Sequence, residues 1–234
     1  MHRTLSELPP PAAILFDLDG TLIDTVETRI SAWLDALAEA GIPTTRDRVA
    51  PLIGLDGRRL AREIAALDGV SLDDDRAETI DHASGERYSR LNRDPRPLPG
   101  VRELVTAIEA RGLPWAIATS SRASQVTSSV DALGLDPRPT IVDASHVRHA
   151  KPEPDLLLVA AKRLAVEPAR CWYIGDATWD MAAAVAAAMI PIGVTAGSAV
   201  DEAALAGAGA GAVVGSLSDI ARAVSALRHG RSDR

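Results

Sequence analysis

Apolar positions along the chain fall into two kinds of run. Short continuous runs that end in polar residues are what strands buried on both faces require. Longer stretches place apolar residues at i, i+3, i+4 and i+7, the pattern of a helix with one buried face. The first firm run, Ala12-Ala13-Ile14-Leu15-Phe16-Asp17, predicts a strand that empties into a loop at Gly20. A helix is expected from Asp24 to Gly41, carried by Ile30, Trp33, Leu34, Leu37 and Ala38 and stopped by the glycine. From Ile42 to Arg93 the pattern is more polar and mostly helical, interrupted by a loop at Gly54–Arg59. Pro95, Pro97 and Pro99-Gly100 then mark a boundary. Beyond it come a helix at Val101–Arg111, a strand at Leu113–Thr119, a helix near Ser124–Leu133 and a strand at Thr140–Val142. A helix near Pro154–Leu164, a strand at Cys171–Ile174, a helix at Met181–Met189, strands at Ile190–Val194 and Ala212–Val214, and a final helix complete the series.

Short apolar strands alternating with amphipathic helices argue for a doubly wound, Rossmann-like α/β fold with a parallel sheet covered on both faces. One crossover is far too long. About a hundred residues separate the strand ending at Asp17 from the one ending at Thr119, where ~10–12 suffice. The helix at Val101–Arg111 is the ordinary return, so residues 24–93 read as an inserted small α-helical cap domain on a core of residues 1–23 and 94–234. Ligands of such sheets bind outside the carboxyl ends of the strands, where an insert tethered after the first strand would cover them.

Composition narrows the classes of function. With 47% hydrophobic and 24% charged residues, the chain is too apolar for disorder and long enough for a substantial core. Its 25 Lys+Arg against 32 Asp+Glu give a net charge of −7 without any block of like charge, which argues against nucleic-acid and membrane-surface partners. A single cysteine, Cys171, excludes an internal disulfide framework and a Cys-based zinc site, and suggests a reducing, cytoplasmic compartment. The segment Met1–Pro11 lacks the apolar region of a signal peptide, and the Ala-rich run Ala182–Ile190 is far short of a membrane span.

The polar residues at the strand ends are the candidate chemistry. Asp17 and Asp19 follow the first strand, Thr119-Ser120-Ser121 the second, and Asp176 and Asp180 the fourth, while Lys151 sits in a Pro-rich loop. Asp17 and Asp19 are two residues apart, so on an extended segment they leave on the same side. If Asp176 joins them, the crowded carboxylates call for protonation or a cation. With only oxygen donors on offer, a hard ion is selected, and Mg²⁺ suits few carboxylates plus a substrate phosphate. Lys151 and the Thr119 hydroxyl could bind that phosphate, and an Asp nucleophile attacking phosphorus would form an aspartyl-phosphate. Each piece has a plainer reading: Asp-Gly after a strand is often a turn, Asp24 could merely cap a helix, and Lys151 could be an exposed loop residue. Their order after successive strands makes the joint case.

Together, Asp17-Leu18-Asp19-Gly20-Thr21-Leu22-Ile23-Asp24, Thr119-Ser120, Lys151-Pro152-Glu153-Pro154-Asp155 and Gly175-Asp176-Ala177-Thr178-Trp179-Asp180 resemble the four motifs of the haloacid dehalogenase-like hydrolase superfamily, in order and over nearly the whole chain. The insert resembles its helical-cap subclass. The resemblance implies Asp17 as nucleophile and metal ligand. It makes Asp19 the acid that protonates the leaving oxygen and then the base that activates water, its backbone carbonyl touching the metal. Thr119 and Ser120 are implied at the phosphoryl group, Lys151 as its counter-charge and the orienter of Asp17. Asp176 is implied as a metal ligand, and Asp180 as a ligand, often through water, or an anchor behind one.

Asp19 favours oxygen leaving groups, since carbon–halogen-cleaving relatives typically lack an Asp there and phosphonate-cleaving ones have a small residue. Gly54–Arg59 and Thr119-Ser120-Ser121-Arg122 resemble β-phosphoglucomutases, whereas Thr21 in place of Val, and Gly175-Asp176-Ala177, resemble phosphoglycolate phosphatases more closely. The expected function is therefore Mg²⁺-dependent hydrolysis of a small phosphorylated metabolite, with a sugar-phosphate mutase, or a non-catalytic binding protein of the same fold, as alternatives. In the cap, Arg58 or Arg59 could pair with a substrate carboxylate or second phosphate, and Arg122 could do the same from the core; solvated arginines are the plainer reading. Cys171 reads as core, His146 and His149 as too few for a metal site, and Ala206–Gly211 as a loop that allows close packing. Trp179 either shields the site or packs beneath the cap.

Overall fold

The computed structural model describes residues 3–227, so the outermost ends of the expected core, 1–2 and 228–234, lie outside the described residues. Strands β1 (Ala13–Phe16), β2 (Trp115–Ala118), β3 (Thr140–Val142), β4 (Cys171–Gly175), β5 (Ile190–Val194) and β6 (Ala212–Val214) form one sheet in the order β3-β2-β1-β4-β5-β6. Every pair is parallel, with Ile14 opposite Trp115 on one side and Trp172 on the other. Successive residues of β1 feed opposite layers, as a period of two demands. Ile14 and Phe16 join a cluster with α5 (Val101–Ala110), α6 (Ala123–Ala132) and α10 (Leu217–Ala226). Ala13 and Leu15 face α7 (Asp155–Arg163) and α8 (Thr178–Ala186). β1 is fully buried, which is why it reads as an unbroken apolar run.

Between β1 and α5 lie α1 (Val26–Glu39), α2 (Arg46–Val49), α3 (Gly57–Leu67) and α4 (Asp74–Leu91). Their apolar faces close on one another around Val26, Ile30, Trp33, Leu60, Ile64 and Ile80, a cluster separate from the two sheet layers. The chain leaves β1 toward β2 on one side, and β4 lies on the other. β1 is thus the point at which the strand order reverses, where the loops splay and a crevice opens.

Several element ends differ from the pattern-based expectations. The first helix starts at Val26, with Thr25 at the N-cap position and Asp24 exposed ahead of it. The Thr25 hydroxyl caps nothing there; it donates to Asp19 instead. The expected loop Gly54–Arg59 is shorter, because Asp56 accepts the Arg59 N–H at 3.2 Å and opens α3, leaving Arg58 and Arg59 in its first turn. α8 begins at Thr178 rather than Met181, its entry tied by the Ala177 N–H donating to the Asp180 carboxylate at 2.9 Å. The expected loop Ala206–Gly211 is partly helical, since α9 (Glu202–Gly207) is capped by Asp201. That helix buries only Leu205 in a run of Ala and Gly, too little apolar contrast for a periodic signal. Cys171 lies buried in β4 as expected, and burial pushes its thiol up to about 11. No helix among the described residues is long and apolar enough to cross a membrane.

Candidate active site

The loops that leave the carboxyl ends of β1, β2, β3 and β4 bring the candidate residues to one crevice. Asp17, Asp19, Thr119, Ser120, Lys151 and Asp176 all line it, with Arg29 and Trp33 of α1 and Asp81, Ser84 and Gly85 of α4 on the opposite wall. Arg58 does not; it lies in the larger chambers alongside, bonded to Asp56 at 3.2 Å. Arg59 stacks over Trp179, 6.0 Å from the ring centroid, and Arg122 pairs with Glu78 at 2.6 Å and Asp81 at 2.8 Å. The histidines do not meet: His146 lies 3.3 Å from Asp143, and His149 3.3 Å from Asp155. Trp179 packs beneath the inserted helices, its Nε1–H donating to the Pro51 carbonyl at 2.9 Å.

Lys151 is fully buried, with its ammonium 2.6 Å from Asp17 and 2.7 Å from Asp180. Burial opposes its charge, but the two carboxylates more than offset that and hold the ammonium above its ordinary range. Carboxylate oxygens of Asp17, Asp176 and Asp180 lie within 4.8 Å of one another. Burial pushes Asp17 up to about 7, with Lys151 pulling against it and Asp180 and Asp19 adding repulsion. Asp176 is raised well above the usual carboxylate range by burial and by Asp180 and Asp17, although Thr21 donates a hydrogen bond to it at 2.8 Å. This donor set fits a divalent magnesium ion: it is oxygen-only, buried, and has more negative than positive charge. Gly20 makes room for it, because its φ is +82° and a methyl there would overlap Asp176 Oδ2. Asp180 is engaged on both oxygens, by Lys151 and by the Ala177 N–H, so its place is behind the ligands.

Asp19 stands apart from that cluster in a clamp of four donors. Thr25 (2.6 Å) and Tyr88 (2.7 Å) donate to one oxygen, Arg29 (2.7 Å) and Ser121 (2.9 Å) to the other. Burial alone would raise its carboxyl, but the Arg29 guanidinium and these hydrogen bonds outweigh it and hold Asp19 below the ordinary range. Arg29 also stacks on the Tyr88 ring, 3.3 Å from its centroid, and donates to Gln125 at 3.2 Å. Beyond Asp19, Thr119 is buried and accepts the Ser121 N–H at 3.2 Å, while the buried Ser120 hydroxyl has no hydrogen-bond partner.

Arg29, Tyr88, Thr25, Tyr173 and Gln125 carry no motif in the sequence, whereas Ser121, expected among the polar residues after the second strand, bonds Asp19. One signal was there for Arg29: it falls on the stripe of Val26, Ile30 and Trp33, where an inward-facing charge needs a partner. Tyr88 likewise shares the buried face of Ala77, Ile80 and Ser84. Tyr173, inside β4, places its hydroxyl 3.0 Å from Asp180 and 3.3 Å from the Lys151 ammonium.

Comparison with known proteins agrees with this geometry. The chain is 33% identical over 175 residues to the N-acetylmuramic acid 6-phosphate phosphatase of Pseudomonas aeruginosa, covering 72% of this chain and 75% of that one. It is 31% identical over 187 residues to the beta-phosphoglucomutase of Bacillus subtilis, covering 78% and 82%. The crystal structure of a hydrolase from Pseudomonas syringae superposes with a TM-score of 0.85 at 35% identity, over 90% of this chain and 96% of that one. Residues 14–194 match the family model of the haloacid dehalogenase-like hydrolases, and the chain belongs to that family.

Proposed function

We propose that this hydrolase is a Mg²⁺-dependent phosphatase of small phosphomonoesters that works through a phosphoaspartate on Asp17, with residues 24–93 acting as a cap over a core of residues 1–23 and 94–234. The observation that carries the reading is the buried Asp17, held by Lys151 at 2.6 Å beside Asp176, with a second acid two residues along the chain. In the first transfer an Asp17 oxygen bonds to phosphorus as the phosphorus–oxygen bond to the leaving group breaks. The departing oxygen takes a proton from Asp19. In the second, water gives a proton to Asp19 and attacks phosphorus, releasing phosphate and Asp17. The Arg29 clamp favours the Asp19 carboxylate, the form this second step needs, and makes the protonated form used in the first step the minor one but the stronger acid. Lys151, and the hydroxyls of Thr119 and Ser120, meet the charge on the transferring oxygens. Asp17 and Asp176 with the Asp19 carbonyl would hold Mg²⁺, which when bound supplies positive charge at the phosphoryl oxygens and keeps Asp17 ionised.

A mutase must seat a second phosphate far from Asp17. Among the described residues that line the crevice and the adjoining chamber, Arg29, Lys151, Arg58 and Arg122 are each paired with a carboxylate, leaving the exposed Arg148 as the cation for a second phosphate, which favours the hydrolase. A non-catalytic binding role is disfavoured by the presence of both Asp17 and Asp19. The partner is then a small phosphorylated metabolite, met in the cytoplasm. The test is phosphate release from a panel of 2-phosphoglycolate, sugar phosphates and nucleotides, with Mg²⁺, with a chelator, and with Asp17→Asn. Release that needs Mg²⁺ and is lost in Asp17→Asn is expected; release that survives in Asp17→Asn sinks the reading.

A further inference from the structure

The catalytic crevice is small, about 60 Å³, and lies beside a chamber of about 670 Å³. The two share Gly57, Asp81, Ser120 and Gln125 as wall residues, so these residues form the throat between them. A phosphoryl group seated at Asp17 leaves no room for a large leaving group in the inner space. A leaving group that extends toward the chamber would place its first two carbons at the throat.

The throat is built for hydrogen bonding rather than for anions. Asp81 spends Oδ2 on Arg122 at 2.8 Å, while its Oδ1 lies over Gly57, close enough that a methyl on the glycine would overlap it. Ser120 contributes a buried hydroxyl without a partner. Gln125 Oε1 accepts from the Arg29 guanidinium at 3.2 Å, and its Nε2 lies against Gly85, where the absent side chain leaves space. Of the guanidiniums that line the two spaces, Arg29, Arg58 and Arg122 are each paired with carboxylates, Arg122 with both Asp81 and Glu78, and the exposed Arg148 lines only the chamber. One carboxylate, one hydroxyl and one amide suit the alternating donors and acceptors of hydroxyl groups, whereas a ligand carboxylate at the throat meets Asp81, whose own cation, Arg122, is already shared with Glu78.

We propose that this throat selects phosphomonoesters whose leaving group is neutral and hydroxyl-bearing, as in polyol and sugar monophosphates, over those with a carboxylate two carbons from the ester oxygen, and that Asp81 sets the discrimination. The proposal rests on the phosphatase reading above. The matched probes are 2-hydroxyethyl phosphate and 2-phosphoglycolate, which differ at that second carbon, with p-nitrophenyl phosphate as a reference for the chemistry. The wild-type enzyme should show kcat/KM at least about tenfold higher for 2-hydroxyethyl phosphate, equivalent to about 1.4 kcal/mol. In Asp81→Asn the ratio should fall toward one, chiefly because 2-phosphoglycolate improves. In Gln125→Glu, which adds a carboxylate to the same throat, it should rise. Ratios taken on one preparation cancel the folded fraction. Wild-type turnover of p-nitrophenyl phosphate with equal or better use of 2-phosphoglycolate overturns the proposal alone, and a ratio unmoved in Asp81→Asn overturns the assignment to Asp81. Failure of the wild type to hydrolyse even p-nitrophenyl phosphate overturns the phosphatase reading, and this one with it.

Discussion

Removing magnesium should turn the active-site carboxylates into a pH-dependent liability. Carboxylate oxygens of Asp17, Asp176 and Asp180 lie within 4.8 Å of one another; at that separation and an effective dielectric of ~20, two unit charges repel by about 3.5 kcal/mol. One ammonium, that of Lys151, is in contact with Asp17 and Asp180 but not with Asp176. Asp17 answers by holding its proton up to about 7, against 3.8 for an ordinary aspartate, so the folded state binds a proton that the unfolded chain has released. Stability of the metal-free protein must therefore fall as pH rises through that interval. Each unit is worth ~1.36 kcal/mol, so about 3 kcal/mol is lost between pH 5 and pH 8. Asp176 is shifted the same way and adds to the slope. Asp19 is shifted the opposite way, and its contribution is lost only at lower pH, outside this window. At ~2–4 °C per kcal/mol for a chain of this size, Tm in chelator should drop by roughly 6–12 °C. Saturating Mg²⁺ should restore it, more at pH 8 than at pH 5, by ~2.7 kcal/mol at a hundred times Kd. Thermal or urea melts in chelator and in Mg²⁺ at both pH values measure this, with Asp17→Asn expected to flatten the metal-free slope. A metal-free Tm that is level or rising from pH 5 to 8 would refute the reasoning.

Three further substitutions probe individual contacts. Lys151→Met leaves Asp17 and Asp180 without their buried counter-charge and should cost about 3–5 kcal/mol in urea melts, with kcat down ~10²–10³-fold from the lost electrostatic stabilisation. Arg29→Met removes the strongest lowering influence on Asp19, so its carboxyl should rise and the acidic limb of the kcat–pH profile should move to higher pH; an unmoved limb would mean that Arg29 does not govern Asp19. Gly20→Ala sets a side chain at φ +82° against Asp176 Oδ2, and should lose about 1–3 kcal/mol from backbone strain alone together with most magnesium affinity, read by calorimetric titration.

What could be read along the chain was whatever depends on local pattern. Each strand is a short apolar run because it is buried on both faces, and a run that must stop at the sheet edge stops in a polar residue. Asp17, Thr119 and Asp176 therefore announced themselves, and the over-long first crossover revealed the helical insert. Lys151 stood out only in combination, since a loop lysine looks solvated until the fold buries it completely. The Gly54–Arg59 loop and the Ala206–Gly211 segment were misjudged at their edges, where capping by Asp56 and Asp201 outweighs composition. The meeting of the clamp on Asp19 was not legible, although Arg29 and Tyr88 fall on the buried faces of their helices and Ser121 follows a strand. Tyr88 is 69 residues away and Ser121 is 102 residues away, and neither position carries a local signature of the meeting. Local periodicity reports which face of an element is buried, but which side chains converge there depends on how the insert closes over the sheet. For this protein the sequence alone determined the sheet, its order of motifs and the oxygen-rich site at the strand ends. Only the tertiary structure decided that Arg29 and Tyr88 grip Asp19 and that Asp81 lies against Gly57 and pairs with Arg122, because those contacts exist solely between elements brought together by packing.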